Sequence, residues 1–319
     1  VMVVEHDLLI LDYLTDFVHI LYGKVGAFGV VSLLKNSRVG INTYLSGYIR
    51  DENVRFRESA IVYEEKPPME YAERDVVLEY TEIKKQLGDF HLTVKPGQIY
   101  QGEVVGILGP NGIGKTTFVK ILAGVMKSDA GDVSREVSVS YKPQYLSADS
   151  DITVSALLSS VTSESATGWY RAEIIRPLSL ERLLNRPLTS LSGGELQRVA
   201  IAEALSRDAE IYLLDEPAAY LDVEQRMAVA RVINRLMEQK NTTALIVDHD
   251  LLFLDYLSNR LMIFQGKPGI EGVAEGPFDL RTGMNRFLRN ADITFRRDPD
   301  TGRPRANKPG SQKDMEQKK

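Results

Sequence analysis

The sequence predicts an α/β fold on a mixed sheet, with an antiparallel β lobe, a helical arm, and chemistry at the carboxyl ends of parallel strands. Three observations predict it. Val104–Leu108 is a short, wholly apolar run that leads into Gly109-Pro-Asn-Gly-Ile-Gly-Lys-Thr-Thr117 and then an apolar helical stretch, Phe118–Leu122. That order is buried strand, glycine-rich loop, helix. A second apolar strand, Ile211–Leu214, ends in Asp215-Glu216-Pro217. Val76–Val105 is rich in β-formers and predicts the antiparallel lobe, while residues 146–190 carry Ala, Leu and Arg at helical spacing, interrupted by Pro177 and Pro187.

Composition bounds the function. The chain has 319 residues, enough for about two domains at roughly 100–200 residues each. Apolar residues make up 43% and charged residues 26%, which supports a full core. A net charge of −5 argues against a generic nucleic-acid coat, though not against a local basic patch. Cysteine is absent, which excludes disulfides, thiolate zinc sites, iron–sulfur clusters and cysteine nucleophiles from these residues. No apolar run approaches the ~18 residues that span a bilayer. The opening Val-Met-Val-Val-Glu-His does not read as a signal peptide, and its lack of an initial Met hints at a longer chain.

An internal repeat sharpens that expectation. Val1–Val31 aligns without gaps to Ala244–Ala274, with 15 identities in 31 positions at an offset of 243. The register persists: Arg38, Gly40, Asn42 and Leu45 match Arg281, Gly283, Asn285 and Leu288. Two unrelated amphipathic segments would not hold one register over nearly fifty residues. Residues 1–62 are therefore expected to be the end of a module whose body precedes Val1.

The second copy shows its body. Gly109, Gly114, Lys115 and Thr116 fit G-x-x-x-x-G-K-[ST]. Glycines let backbone N–H groups turn toward a phosphate where a Cβ would intrude, and the following helix N-terminus adds partial positive charge. Pro110, Asn111, Gly112 and Ile113 complete the loop. Lys115 is expected at the β- and γ-phosphates, the Thr116 hydroxyl on Mg²⁺, and Thr117 at the α-phosphate. Asp215 sits where Mg²⁺ needs a carboxylate. Glu216, one residue on, can orient and deprotonate an attacking water. Taken alone, the acid pair could equally cap a helix.

Leu191-Ser-Gly-Gly-Glu195 precedes a helical run, and Ser192 with Glu195 makes an S-x-x-E capping box. Together with the phosphate loop and the acid pair, this text resembles the ATP-binding-cassette (ABC) signature, which implies a P-loop NTPase fold of that type, ATP or ADP as ligand, and Mg²⁺. The resemblance makes Ser192, Gly193, Gly194 and Glu195 the signature. It makes Gln144 the Q-loop glutamine, near both catalysis and the metal. Leu221-Asp222 becomes the D-loop and His249 the switch histidine. It places an adenine-stacking ring near Phe90, 25 residues before Lys115, with Tyr80 as competitor.

Tyr-Lys-Pro-Gln-Tyr145, Leu-Ser-Gly-Gly-Glu-Leu-Gln-Arg-Val199, the Asp248–Tyr256 switch segment and Phe295–Arg305 are similar to the second cassette of the ribosome-recycling E-subfamily, or RNase L inhibitor family. The resemblance covers almost the whole chain. It implies a complete protein that separates ribosomal subunits in the cytoplasm, away from membranes. Its partners would be its own first nucleotide-binding domain, the small ribosomal subunit and its RNA, and release or rescue factors. It also implies an N-terminal iron–sulfur domain outside these residues.

The expected division is a first-cassette remnant at 1–62, a proline-bearing linker at 63–72, the second cassette at 73–290, and a basic tail at 291–319. The tail is read either as a solvated end or, by resemblance, as a hinge over 292–308, with disorder beyond Gly310. In such proteins two cassettes stack head to tail, so Ser192–Gly194 would meet a γ-phosphate held by the facing module. The rival readings are the ATPase subunit of a membrane transporter and a non-hydrolysing ATP-binding scaffold.

Overall fold

A computed structural model describes residues 1–24, 27–63, 75–134, 137–144, 151–290, 292–308 and 310–318. Most of the expected linker, together with Tyr145 and the start of the helical arm, lies outside the described residues. The chain divides into two compact units, Val1–Pro67 with Leu288–Lys319, and Pro68–Phe287.

The larger unit is built on one eight-stranded sheet. Its strands are β1 (Ile83–Leu87), β2 (Phe90–Val94), β3 (Val104–Leu108), β4 (Val139–Lys142), β5 (Ile211–Asp215), β6 (Thr243–Val247), β7 (Arg260–Lys267) and β8 (Glu271–Asp279), in the order β4-β5-β6-β3-β7-β8-β2-β1. Strands β4 to β7 run parallel, β7–β8 and β1–β2 antiparallel, and β8–β2 parallel. Strands β3, β5 and β6 are buried at every position, as continuous apolar runs in a sheet covered on both faces must be.

The helices that matter for the site are α1 (Lys115–Leu122), α2 (Gly193–Ser206), α3 (Val223–Lys240) and α4 (Leu251–Leu257). Phe118 of α1 packs between Tyr80 and Phe264, with ring centroids 5.5 and 5.9 Å away. That aromatic contact fixes the angle at which α1 leaves the loop.

The antiparallel lobe is only partly separate. Val76–Tyr80 and Gly97–Tyr100 form their own two-stranded sheet, but the β1–β2 hairpin joins the main sheet through β8. Val104 and Val105 belong to the central strand. In the described part of the helical arm, Val154–Val161 is a helix capped by the Thr153 hydroxyl. A π-helical turn at Arg171–Ile175 ends before Pro177, which has no N–H to continue it.

The smaller unit carries the repeat in its secondary structure. The helix Leu8–Leu14 lies 243 positions before α4, and the helix Ser37–Ser46 lies 243 positions before the helix at Leu280–Asn290. Burial differs sharply: Leu14 and Leu21 are 63% and 69% exposed, whereas their counterparts Leu257 and Phe264 are 0% and 1% exposed.

The described tail is ordered within this unit, mostly buried or half-buried along its hairpin and largely exposed beyond Gly310. Phe295–Arg297 and Pro304–Ala306 pair as a hairpin. Arg303, fully buried, donates to Asp12 Oδ2 at 3.0 Å, and Arg305 grips the same carboxylate with two bonds of 2.7 and 2.9 Å. Asp298 accepts from Arg38 at 3.2 Å and Asn42 at 3.1 Å. Beyond Gly310, where composition favours disorder, Gln312–Lys318 is a helix, and Asp314 anchors it by accepting from Thr294 at 2.6 Å and from the Gly310 N–H at 2.9 Å.

Candidate nucleotide-binding site

The loop between β3 and α1 wraps one wall of a cavity of about 400 Å³, lined by Phe90, Asn111 through Thr117, Gln144, Asp215, Glu216 and Val247. Gly114 has φ +95°, and a Cβ there would sit 2.9 Å from Leu92 Cδ1 and 3.1 Å from the Phe90 ring. Only glycine permits both the turn and the ring beside it. Tyr80, the competing aromatic, is 1% exposed and packed in the core. Phe90 is the aromatic at this cavity.

Lys115 Nζ donates to the carbonyls of Gly109 and Pro110, both at 2.7 Å, which brings the two loop residues outside the cavity lining into the same arrangement. Burial lowers its pKa to about 8, against the pull of Glu216, Asp215 and Asp248. The Thr116 hydroxyl donates to Asp215 Oδ2 at 2.9 Å. Burial raises the Asp215 carboxyl above its usual range although this hydrogen bond opposes it. His249 Nε2 lies 3.2 Å from Glu216 Oε1. Burial, reinforced by Lys115, lowers the imidazole's pKa against the pull of Glu216.

The signature turn and the D-loop do not line this cavity. Ser192 and Glu195 close the capping box: the Ser192 N–H donates to Glu195 Oε2 at 2.8 Å and the Glu195 N–H donates to Ser192 Oγ at 3.4 Å. Gly194 allows the Tyr220 carbonyl to approach; a Cβ would meet that oxygen at 2.8 Å. Gly193 lies beside the Tyr220 ring. Asp222 caps α3 by accepting from Gln225 N–H at 2.8 Å. Arg226 donates to the Leu221 carbonyl at 2.9 Å and pairs with Asp250, which ties the D-loop to the N-terminus of α4.

Four residues to which the motifs assign no role of their own belong to the site's frame: Lys142, Gln197, Arg226 and Asp248. The signal was available in two of them. Lys142 is a buried charge on a half-buried edge strand, and Gln197 is a polar residue on the buried face of α2.

These residues fit a triphosphate and a hard cation. The cradle offers backbone N–H groups at a helix N-terminus, and Thr116, Asp215 and Gln144 offer oxygen donors. No group of three or more His, Cys, Asp or Glu able to hold a metal occurs among the described residues. A cation here would therefore take the rest of its shell from phosphate and water, the habit of Mg²⁺.

Phosphate loop, acid pair, switch histidine and capped signature turn on this sheet define a cassette-type ATPase. Residues 94–219 match the sequence family described as ABC transporter. The chain is 58% identical over its whole length to an uncharacterized ABC transporter ATP-binding protein of Methanocaldococcus jannaschii, of which it spans 53%. Over 51% of its length it is 39% identical to ABC transporter E family member 3 of Arabidopsis thaliana, covering 94% of that protein. Its fold is similar to the archaeal ribosome recycling factor solved with the archaeal stalk protein aP1, with a TM-score of 0.93, 54% identity, and coverage of 98% of this chain and 61% of that one. The chain belongs to the E family of the ABC ATPases, and spans about half the length of the curated relatives it matches at full length.

Proposed function

We propose that this chain binds Mg·ATP in the Phe90–Glu216 cavity and hydrolyses it once the signature turn of a facing cassette completes the site. It would serve as the second motor domain of a cytoplasmic factor that separates ribosomal subunits. The observation that carries the reading is the convergence on one cavity of Phe90, the phosphate loop, Gln144 and the Asp215–Glu216 pair, with His249 at 3.2 Å from Glu216.

Phe90 stacks the adenine, Lys115 holds the β- and γ-phosphates, and Thr117 donates to the α-phosphate. Thr116, Asp215 and Gln144 hold Mg²⁺, which when bound neutralises charge on the phosphates. Glu216 orients the attacking water and takes its proton, while His249 Nε2 steadies the Glu216 carboxylate beside the γ-phosphate. Ser192, Gly193 and Gly194, with Glu195 holding their turn, present the α2 N-terminus to the nucleotide of the facing module, and Asp222 fixes the adjoining D-loop. The γ-phosphate favours closure because only the closed pair grips it from both sides.

The facing module would be the protein's own first nucleotide-binding domain. The small ribosomal subunit with its RNA, and release or rescue factors, are the proposed substrates of the motion. ATPase rates of the full-length protein with and without purified 70S- or 80S-type ribosomes test the reading. Stimulation together with subunit separation is expected, and a rate indifferent to ribosomes would defeat it.

A further inference from the structure

Glu216 is a non-glycine residue held at φ +49°, in the left-handed region. That conformation is strained for an L-residue and persists only where the surroundings enforce it. Here the enforcement is visible. The peptide groups on either side of its Cα expose three polar atoms, and three different elements hold them. The Asp215 carbonyl accepts from Lys142 Nζ at 2.8 Å, the Glu216 N–H donates to the Val247 carbonyl at 2.7 Å, and the Glu216 carbonyl accepts from Gln197 Nε2 at 2.7 Å.

The Val247 bond extends the sheet ladder and is ordinary. The other two are not. Lys142 is a lysine 1% exposed on β4, whose amine is satisfied by two carbonyls, those of Asp215 and of Pro143 at 3.0 Å. Pro143 leads directly to Gln144. Gln197 is 0% exposed, and its Oε1 has no hydrogen-bond partner among the described residues. A buried amide that leaves its oxygen unpaired to aim its nitrogen at one carbonyl is costly unless that bond matters. Gln197 also lies little more than one helical turn, roughly 7 Å of rise, beyond Ser192.

We propose that Gln197 and Lys142 are positioning residues for the base Glu216, and that Gln197 couples the signature turn to it. A displacement of the α2 N-terminus on contact with the facing module's nucleotide moves the Gln197 amide, and with it the peptide that sets the Glu216 carboxylate. Occupancy of the facing site thereby tunes hydrolysis at this one. The inference rests on the hydrolytic reading given above.

The test uses the full-length two-cassette protein. Gln197→Met and Lys142→Met remove the donors at similar volume, and Lys142→Arg restores one. Single-turnover hydrolysis at this site is expected to fall ~10- to 100-fold in either Met variant, the loss typical of a misplaced catalytic group. ATP affinity should stay within about threefold, and Lys142→Arg should recover much of the rate. In a Glu216→Gln background neither Met variant should slow the residual rate further, since no base is left to misplace. In Gln197→Met, blocking the facing site should no longer change the rate here. The two positions are read independently, so one soluble variant decides. Unchanged turnover, or a loss that adds fully to that of Glu216→Gln, overturns the proposal. A Glu216→Gln protein that hydrolyses normally would instead sink the hydrolytic reading itself.

Discussion

The Thr116 hydroxyl and Asp215 Oδ2, ninety-nine residues apart, meet at 2.9 Å across the mouth of the phosphate loop. The hydrogen bond brings together two of the oxygen donors a magnesium ion would use. Thr116→Val removes the hydroxyl and keeps the shape. We expect it to weaken ATP binding in the presence of Mg²⁺ by ~10-fold or more, a loss of about 1.4 kcal/mol. In EDTA the affinity should change little. Fluorescent-nucleotide titrations with and without Mg²⁺ measure both, and an equal loss in the two conditions would remove Thr116 from the cation's shell.

Glu216→Gln keeps side-chain volume and one oxygen while removing the carboxylate proposed as base. Turnover in the full-length protein should drop ~10²- to 10⁴-fold with nucleotide affinity intact, so the nucleotide-bound closed state accumulates. If affinity collapses along with turnover, Glu216 is binding nucleotide rather than activating water.

Lys115 supplies a pH dependence of binding. Burial lowers its pKa to about 8. Phosphate favours the protonated amine, so nucleotide raises that pKa. The lysine is already charged below pH 8, and binding there needs no proton. Above pH 8 binding must take one up, and affinity should fall by up to tenfold per pH unit. Calorimetry at pH 7 and pH 9 in buffers of different ionisation enthalpy reports the proton directly. Equal proton uptake at the two pH values would contradict the shift.

Much of this was legible in the sequence because phosphate chemistry is local: glycines, lysine and threonine must follow one another, so Gly109–Thr117 announces itself. The repeat was legible too, down to helix positions, because one register ran from Val1 to Leu45. The clamp on Glu216 was not. Lys142 and Val247 are brought to it by the sheet order β4-β5-β6 and Gln197 by the packing of α2; a buried Lys or Gln can be suspected from its own segment, but its partner across such separations cannot. The tail was misread past Gly310 for a related reason. Composition there favours disorder, but Asp314 finds Thr294, and before it Arg303, in the stretch also read as a hinge, finds Asp12 nearly three hundred residues away.

That last contact makes its own prediction. Asp12 is buried between Arg303 and Arg305. Asp12→Asn would leave two guanidinium groups without their shared countercharge, at a cost of about 3–5 kcal/mol by analogy with other buried pairs. The loss falls on the smaller unit, so residues 292–318 should become sensitive to trypsin while nucleotide binding in the larger unit persists. A tail as resistant as in the parent chain would show that apolar packing, and not the Asp12 carboxylate, holds it.

The 319-residue chain by itself should bind Mg·ATP and hydrolyse it poorly. Binding needs Phe90, the phosphate loop and Asp215, all gathered on one cavity. Turnover needs a signature turn presented from a facing module, and Ser192–Gly194, the chain's one such turn, does not line its own nucleotide cavity. His6, the repeat counterpart of His249, has no phosphate loop within residues 1–62 to serve and should be idle. Two chains could still lend each other their signature turns and rebuild two sites. Activity per molecule should then rise with protein concentration, roughly in proportion while dimers are scarce. Rates measured over a hundredfold concentration range decide the matter. A rate that matches the full-length protein and ignores concentration would mean that one cassette hydrolyses ATP without a partner's signature.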